Sequence, residues 1–575
     1  MGRHRTGRML GKGLTGSRGA RPALAAALGL LATSMLFCCA AVPAAPCSAA
    51  PATAHGVDTL AKRPNIVLVM ADDLGYGEVG AYGAHSPHGR IATPSLDEYF
   101  AAGGMRFTDA YAGYTVCGPS RTALLTGRHS GNFARYGYDG EHLAAGQAVT
   151  LGEVLSGAGY ATALFGKSAP LSTPTASGFD AFVGQVSQLD CHNMYPRVID
   201  AGETLGGCNL TLNWKAKSRD LCMASPERYN YTTDVFVGAA LKWLDNIAAA
   251  PAAKGSAEQR PFFLYLSLTV PHAGGWTDNA AEEGAPVPDD LQYVNESSWP
   301  DVERDHAAAI TYMDTCVGAL VRKLRALGVE KDTLVLFASD NGAHLEGGHD
   351  VRFFNSTGGL RGHKRSMFEG GVRSPTMVRW PGKVRAGSVS RVPWAFWDVL
   401  PTLAEVAGAS SAVPDDVDGR SFLRTLLGPG DDGVEGELRG GAGVVGRARA
   451  MRELDAQDLP LDSAEFLYFT GANAWANEWF DDGTEQVGGE EGEAFPAAPA
   501  APGPLPAEAP PRVRLTSYSV RAGRWKAVGS RCKHVPSMKD PIKLFDLQAD
   551  PFEKRVRARS AAIPRARRAL VCDRA

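Results

Sequence analysis

The chain has 575 residues, 44% hydrophobic and 21% charged, enough for more than one sizeable core. Its formal net charge of −3 gives no basic excess of the kind that draws a nucleic-acid partner. Residues 1–22 hold six Arg or Lys and no acid, and residues 23–50 hold no charge at all, with an apolar run at their front. That is the layout of a secretory signal with small residues for cleavage near 44–50, and an uncleaved signal anchor is the alternative. A plastid or mitochondrial transit peptide is a third option. No later segment has the length of a membrane span, so a membrane partner is expected only if the leader is an anchor. Four N-x-S/T sequons, at Asn209, Asn230, Asn295 and Asn355, fit a secretory route to an extracellular, lysosomal or other lumenal destination. Of the ten cysteines, Cys38, Cys39 and Cys47 fall in the leader. Cys191, Cys208, Cys222, Cys316, Cys532 and Cys572 allow up to three disulfides of undetermined connectivity, with free thiols as the alternative, above all for Cys316.

Residues 64–70 form a β-branched-rich apolar run that predicts a buried parallel strand delivering Asp72 and Asp73 at its C-terminal end. Val116-Cys117-Gly118-Pro119-Ser120-Arg121 then opens a helix-forming segment. Pro119 suits the first turn of a helix, where free backbone N–H groups favour an anion. Leu164-Phe165-Gly166-Lys167 reads as a strand end, and the apolar run 262–270 precedes Pro271-His272. Over 301–327, Ile310, Met313, Val317, Leu320, Val321 and Leu324 recur on one helical face. A strand over 333–339 ends in Asp340-Asn341-Gly342. Strands alternating with helices predict an α/β fold, a large mixed, mostly parallel sheet sandwiched by helices, with its site at the strand C-terminal ends. Residues 62–425 are expected to be the catalytic domain. Beyond 426 the composition changes: 428–446 is Gly-rich and charged, and 488–511 is rich in Ala, Pro, Gly and Glu, so both are expected to be mobile insertions. Residues 465–469, 514–529 and 543–547 carry strand patterns that predict a small antiparallel sheet in a C-terminal subdomain, 426–575.

Asp72, Asp73, Asp340 and Asn341 are four oxygen-bearing side chains at two strand ends, a donor set suited to a hard cation, Ca²⁺ or Mg²⁺. From Cys117 to Gly127 the chain reads C-x-P-S-R-x-x-x-L-T-G. This resembles the signature of the formylglycine-dependent, arylsulfatase-like sulfatases of the alkaline phosphatase superfamily. Residues 359–375, which contain Lys364, resemble a second sulfatase signature. The resemblance implies an alkaline-phosphatase-like fold and conversion of Cys117 to formylglycine by a formylglycine-generating enzyme. It also implies Ca²⁺ held by Asp72, Asp73, residue 117, Asp340 and Asn341. The hydrated aldehyde would attack sulfur with one hydroxyl and expel sulfate by elimination through the other. A plain serine or cysteine would stay sulfated.

The same resemblance gives roles to several cations. Arg121, one turn after Cys117, would return to residue 117 and the metal. Lys167 matches the family's Gly-Lys at a strand end. His272 would protonate the leaving oxygen or hold sulfate together with Lys364. One position departs. Many sulfatases read Gly-Lys-Trp-His, whose histidine helps to eliminate sulfate, whereas this chain reads Gly166-Lys167-Ser168-Ala169. Either turnover is impaired, or His192 in Cys191-His192-Asn193-Met194-Tyr195-Pro196 replaces that histidine, as in some carbohydrate and aryl sulfatases. Those relatives also share runs like Glu346-Gly347-Gly348-His349-Asp350 and Phe353-Phe354-Asn355-Ser356. His192 is therefore expected in catalysis, and Asn193, His349 and Asn355 at the substrate. The implied activity is hydrolysis of sulfate monoesters, on sulfated carbohydrate or an aryl sulfate. A phosphoester or phosphonate hydrolase of the same superfamily, and a catalytically impaired glycan-binding protein, are the alternatives.

Overall fold

The apolar run near the start of the catalytic region becomes β1 (Asn65–Asp72), and its alternate residues serve two cores. Ile66, Leu68 and Met70 face one cluster, Val67, Val69 and Ala71 the other, all of them fully buried. Period-two side-chain direction therefore requires apolar cover on both faces, which is why the run is continuous rather than alternating. The computed structural model describes residues 62–428 except 84–85, 138–139, 189, 197, 201–208, 212–229, 251–258 and 275–283, together with 465–469, 515–522, 525–532 and 543–554.

The further strands of the large sheet are β2 (Met105–Phe107), β4 (Ala161–Lys167), β5 (Ala181–Gln185), β6 (Val198–Asp200), β7 (Asn209–Thr211), β8 (Phe262–Pro271), β9 (Thr333–Ser339), β10 (Thr376–Arg379) and β11 (Ser388–Ser390). Among the described residues it has ten strands, in the order β11-β2-β10-β9-β1-β8-β4-β5-β6-β7. The central five, β9, β1, β8, β4 and β5, run parallel. Antiparallel pairings flank them at β9–β10, β10–β2, β5–β6 and β6–β7. A short parallel pair, β3 (Ala110–Tyr111) with β12 (Trp394–Ala395), stands apart. The helix Asp301–Ala326 buries Ile310, Met313, Val317, Leu320, Val321 and Leu324 against one face of the sheet. Helix α1 (Cys117–Thr126) packs Ala123, Leu124 and Leu125 into the core on the other face. No helix among the described residues is long and apolar enough to cross a membrane.

The small antiparallel sheet is present as β13 (Glu465–Phe469), β14 (Leu515–Ala522), β15 (Trp525–Cys532) and β16 (Lys543–Asp546). It docks through buried charge. Lys526 Nζ lies 2.8 Å from Glu369 Oε1 and 3.1 Å from Glu553 Oε1, while Arg521 pairs with Asp109 at 2.8 Å. Burial, opposed by Lys526 and assisted by Glu369, raises the Glu553 carboxyl from 4.5 to about 7. The folded chain thus keeps a proton there that the unfolded chain releases. Stability should therefore fall as pH climbs from about 4.5 to 7, because the unfolded state binds fewer protons across that window. Glu553→Gln should flatten this part of a melting-temperature series, and an unchanged slope would remove Glu553 as its source.

One expectation is settled in part: Cys316 is a free thiol, the alternative expected above all for it, so the six candidate cysteines do not make three disulfides. Cys316 lies within the helix Asp301–Ala326. The side chains of Cys208, Cys222, Cys532 and Cys572 lie outside the described residues, as do the leader and most of the two expected insertions.

Candidate active site

The parallel order β9-β1-β8-β4 sets four strand C-termini side by side. From them emerge Asp340-Asn341, Asp72-Asp73, His272 and Lys167. Parallel sheets collect functional groups at this edge because every strand leaves it in the same direction. Asp73 turns the chain in a left-handed conformation, φ 68°, which is strained for a residue with a Cβ, and its N–H donates to Asp340 Oδ1 at 3.1 Å. Gly166 precedes Lys167 at φ 115°, where a Cβ would stand 1.8 Å from the Ser267 carbonyl oxygen. Only glycine lets β4 approach β8 there. Cys117 is the first residue of α1, whose N-cap Val116 is extended. Lys364 is brought in by a loop whose backbone N–H donates to the Ala343 carbonyl at 2.7 Å.

The resulting cluster is buried and dense with charge. Lys167 Nζ meets Asp72 Oδ2 at 2.8 Å, and Arg121 spans Asp340 Oδ2 at 2.7 Å and Asp72 Oδ2 at 3.7 Å. Lys364 Nζ meets Asp73 Oδ2 at 2.7 Å, Glu346 Oε2 at 2.9 Å and His272 Nε2 at 3.0 Å. Asn341 Nδ2 donates to Asp73 Oδ1 at 2.7 Å, and Cys117 Sγ lies 3.9 Å from that same oxygen. Asp72 Oδ1 and Asn341 Oδ1 are buried with no hydrogen-bond partner. Burying such oxygens without compensation is costly, so a cation is the natural occupant of the space they border. Ligand atoms of Asp72, Asp73, Cys117 and His272 lie within 4.8 Å of one another.

Protonation follows from these contacts. Burial would raise the Asp72 carboxyl, but Lys167 and Arg121 outweigh it and hold the group well below the usual range. Burial, with Asp72 adding, pushes the Cys117 thiol far up, so the unmodified side chain is a poor nucleophile. Burial and Lys364 bring the His272 imidazole down to about 4. The Ala273 carbonyl contacts Nδ1 of that neutral ring and so assigns the proton to it, leaving Nε2 to accept from the Lys364 ammonium.

His192 stacks on His272, ring centroids 3.9 Å apart and planes at 11°, and its Nε2 is buried without a hydrogen-bond partner. Burial and the neighbouring His272 lower it to about 2, so it is neutral. Ala169, where many sulfatases carry histidine, is buried and adjoins Pro170. Three residues expected at the substrate make further contacts. Asn193 Oδ1 accepts from Tyr195 N at 2.9 Å and its carbonyl from Gln185 Nε2 at 3.2 Å, which shapes the loop carrying His192. Asn355 forms a left-handed turn, φ 55°, with its carbonyl accepting from Gly358 N at 2.7 Å. His349 is buried, its Nδ1 on Glu303 at 2.7 Å and its Nε2 on Ser356 Oγ at 3.2 Å. Two unforeseen residues join the cluster. Glu346 reaches Lys364 and, at 3.4 Å, His272 Nε2, while Ser267 contacts Arg121 and donates to the Lys167 carbonyl at 2.6 Å. A hydroxyl inside the apolar run 262–270 was the available signal for Ser267.

A family model described as Sulfatase matches residues 64–409. Arylsulfatase A of Homo sapiens is 32% identical over 417 residues, 67% of this chain and 72% of that protein. Steryl-sulfatase of Mus musculus is 31% identical over 432 residues, 64% of this chain and 65% of that protein. Among solved structures, Ps i-CgsB in complex with k-i-k-neocarrahexaose overlays with a TM-score of 0.56 at 21% identity. That overlay covers 86% of this chain and 89% of the other, a likeness of fold.

Proposed function

The chain belongs to the sulfatase family and is a sulfuric ester hydrolase, and we propose that it cleaves sulfated carbohydrate with residue 117 as formylglycine beside a bound divalent cation. The observation that carries this reading is the set of carboxylates, amide and cations gathered around Cys117 at the sheet edge. The carbohydrate assignment draws on the neocarrahexaose complex of a fold neighbour, while the relatives' names, arylsulfatase and steryl-sulfatase, point to other alcohols. The basic, then uncharged leader and the solvent-exposed Asn230 and Asn295 support passage through the secretory pathway.

The orphaned oxygens of Asp72 and Asn341 fit a hard cation, which Asp73, Asp340 and residue 117 would complete. When bound, Ca²⁺ or Mg²⁺ supplies positive charge to the sulfate oxygens and eases ionisation of the attacking hydroxyl. Residue 117, as hydrated formylglycine, would supply that hydroxyl and a second one through which sulfate could be expelled. Arg121 and Lys167 hold Asp340 and Asp72 in place. Four carboxylates, Asp72, Asp73, Asp340 and Glu346, are matched by Arg121, Lys167, Lys364 and Arg365, so the cluster by itself carries little net charge. A divalent cation therefore tips it positive, as an anionic ester requires. Lys364 carries the proton that neutralises the leaving oxygen, with His272 Nε2 fixing its direction. His192, neutral and with its Nε2 uncommitted, would be the group placed to accept the proton of the second hydroxyl as sulfate departs.

Paired aryl sulfate and aryl phosphate substrates test the reaction class. Sulfate cleavage should be the faster, and faster phosphate cleavage would favour the phosphoester reading. Dialysis against EDTA should abolish turnover and added Ca²⁺ restore it; activity retained without metal contradicts the cation site. His192→Ala should lower steady-state turnover about 10²- to 10⁴-fold while leaving one rapid equivalent of alcohol release, because only sulfate elimination is impaired. An unchanged steady state would take His192 out of the mechanism.

A further inference from the structure

The side chains of Arg121 and Lys167 are fully buried in the active-site cluster and that of Lys364 is 3% exposed, whereas that of Arg365 is 36% exposed. Of these four cations, Arg365 is the one that reaches the outer side of the site. The alcohol part of an ester lies on that side once its sulfate has entered toward residue 117.

The backbone holds Arg365 there at a cost. Ser366 N donates to the His363 carbonyl at 2.8 Å, which closes a tight turn with Lys364 and Arg365 at its centre. Arg365 has φ 74°, a value that favours glycine at the third position of such a turn. The chain thus keeps a long cationic side chain where a residue without one would be less strained, and strain of this kind collects at functional sites. The Arg365 N–H donates to the Thr115 carbonyl at 2.8 Å, so the turn is tied to the segment that enters α1 at Cys117.

Glu346 links the two cations of the turn. Its Oε2 lies 2.9 Å from Lys364 Nζ, and its Oε1 contacts Arg365 Nη1. One carboxylate therefore spans both and sets the guanidinium one carboxylate's width from the ammonium. Asp73 and residue 117 are also within electrostatic reach of Arg365. A guanidinium has five N–H donors in a planar fork, and Glu346 is met through Nη1, which leaves the other edge of the fork for a ligand.

We propose that Arg365 determines specificity by binding a second anionic group, a carboxylate or a further sulfate, on the same ester. Polyanionic sulfated substrates are then favoured over esters whose only charge is the sulfate to be cleaved. This rests on the sulfatase reading above. Either anion offers two oxygens to the guanidinium fork. Glu346 keeps the fork oriented, and because it divides its charge between Lys364 and Arg365, the guanidinium retains attraction for a further anion.

Two pairs of probes, alike in shape and differing by one charge, test this on the full chain. They are meta-carboxyphenyl against meta-carbamoylphenyl sulfate, and meta-sulfophenyl against meta-sulfamoylphenyl sulfate. In at least one pair kcat/KM should favour the charged member about 10- to 100-fold, and the pair that does so tells carboxylate from sulfate-like recognition. Arg365→Gln should bring that ratio close to one; comparing parent with variant cancels any difference in leaving-group acidity. Arg365→Lys keeps the charge without the fork and should retain part of the preference. Added salt should shrink the preference of the parent, because the side chain is in contact with solvent. If Arg365 serves only to hold Glu346, and through it Lys364, Arg365→Gln loses the same factor on both members of each pair. That result, or a parent without preference in either pair, overturns the subsite. Failure to hydrolyse any of the esters would instead tell against the sulfatase reading. Their affinities for the chain, measured by calorimetry, then decide Arg365 on the same ratios, and equal affinities overturn it.

Discussion

Cys117→Ala should abolish turnover, a loss of at least about 10⁴-fold, the scale on which removal of a covalent nucleophile acts. The fold should survive. The side chain is small, it occupies the first position of α1, and alanine is the best helix former. A melting temperature within a few degrees of the parent is the control. Cys117→Ser is the more telling variant. Its single hydroxyl can attack sulfur but has no second hydroxyl beside it through which sulfate could be eliminated. One equivalent of alcohol should be released, and the enzyme should then carry a stable sulfate on residue 117, visible by intact mass. In the parent, the peptide containing residue 117 should carry the aldehyde. Unmodified cysteine there in active protein would end the formylglycine mechanism.

Lys364→Ala should lower kcat by about 10²- to 10³-fold, comparable to loss of a preorganised donor at developing negative charge. Lys364 is 3% exposed and is held by Asp73, Glu346 and His272 at once. Burial notwithstanding, the Asp73 and Glu346 carboxylates keep it protonated. A proton delivered to the leaving oxygen matters most when the alcohol is a poor leaving group. The deficit should therefore shrink across a series of aryl sulfates with increasingly acidic phenols. A deficit that is the same for every leaving group would mean that Lys364 only positions sulfate. A loss smaller than about tenfold would remove it from the transition state altogether.

Much of the frame is local and periodic, hence readable without coordinates. The continuous apolar runs that became β1, β8 and β9 could be assigned because strands covered on both faces leave no polar alternation. The helix Asp301–Ala326 followed from its 3.6-residue stripe. The second sulfatase-like run owes its glycines to close backbone approach, as at Gly370, where a Cβ would stand 2.1 Å from the Gly362 carbonyl oxygen. His349 was harder. Its partners Glu303 and Glu78 come from segments remote in sequence, so its burial and ion-pair contacts are not visible in the motif-like run that carries it. Cys316 stays a free thiol for a similar reason, since an even count of cysteines says nothing about their distance.

The amino-acid order alone groups Cys117, the four oxygen donors and the cations, through the resemblance of short runs to the sulfatase signatures and, for the donors, through their place at strand ends. Which carboxylate each cation holds, that His192 lies flat on His272, and that Glu346 braces Lys364 are decided only when strands β9, β1, β8 and β4 align in parallel. Contacts between residues hundreds of positions apart depend on the register of that sheet, and register is set by packing over the whole core rather than by any one segment.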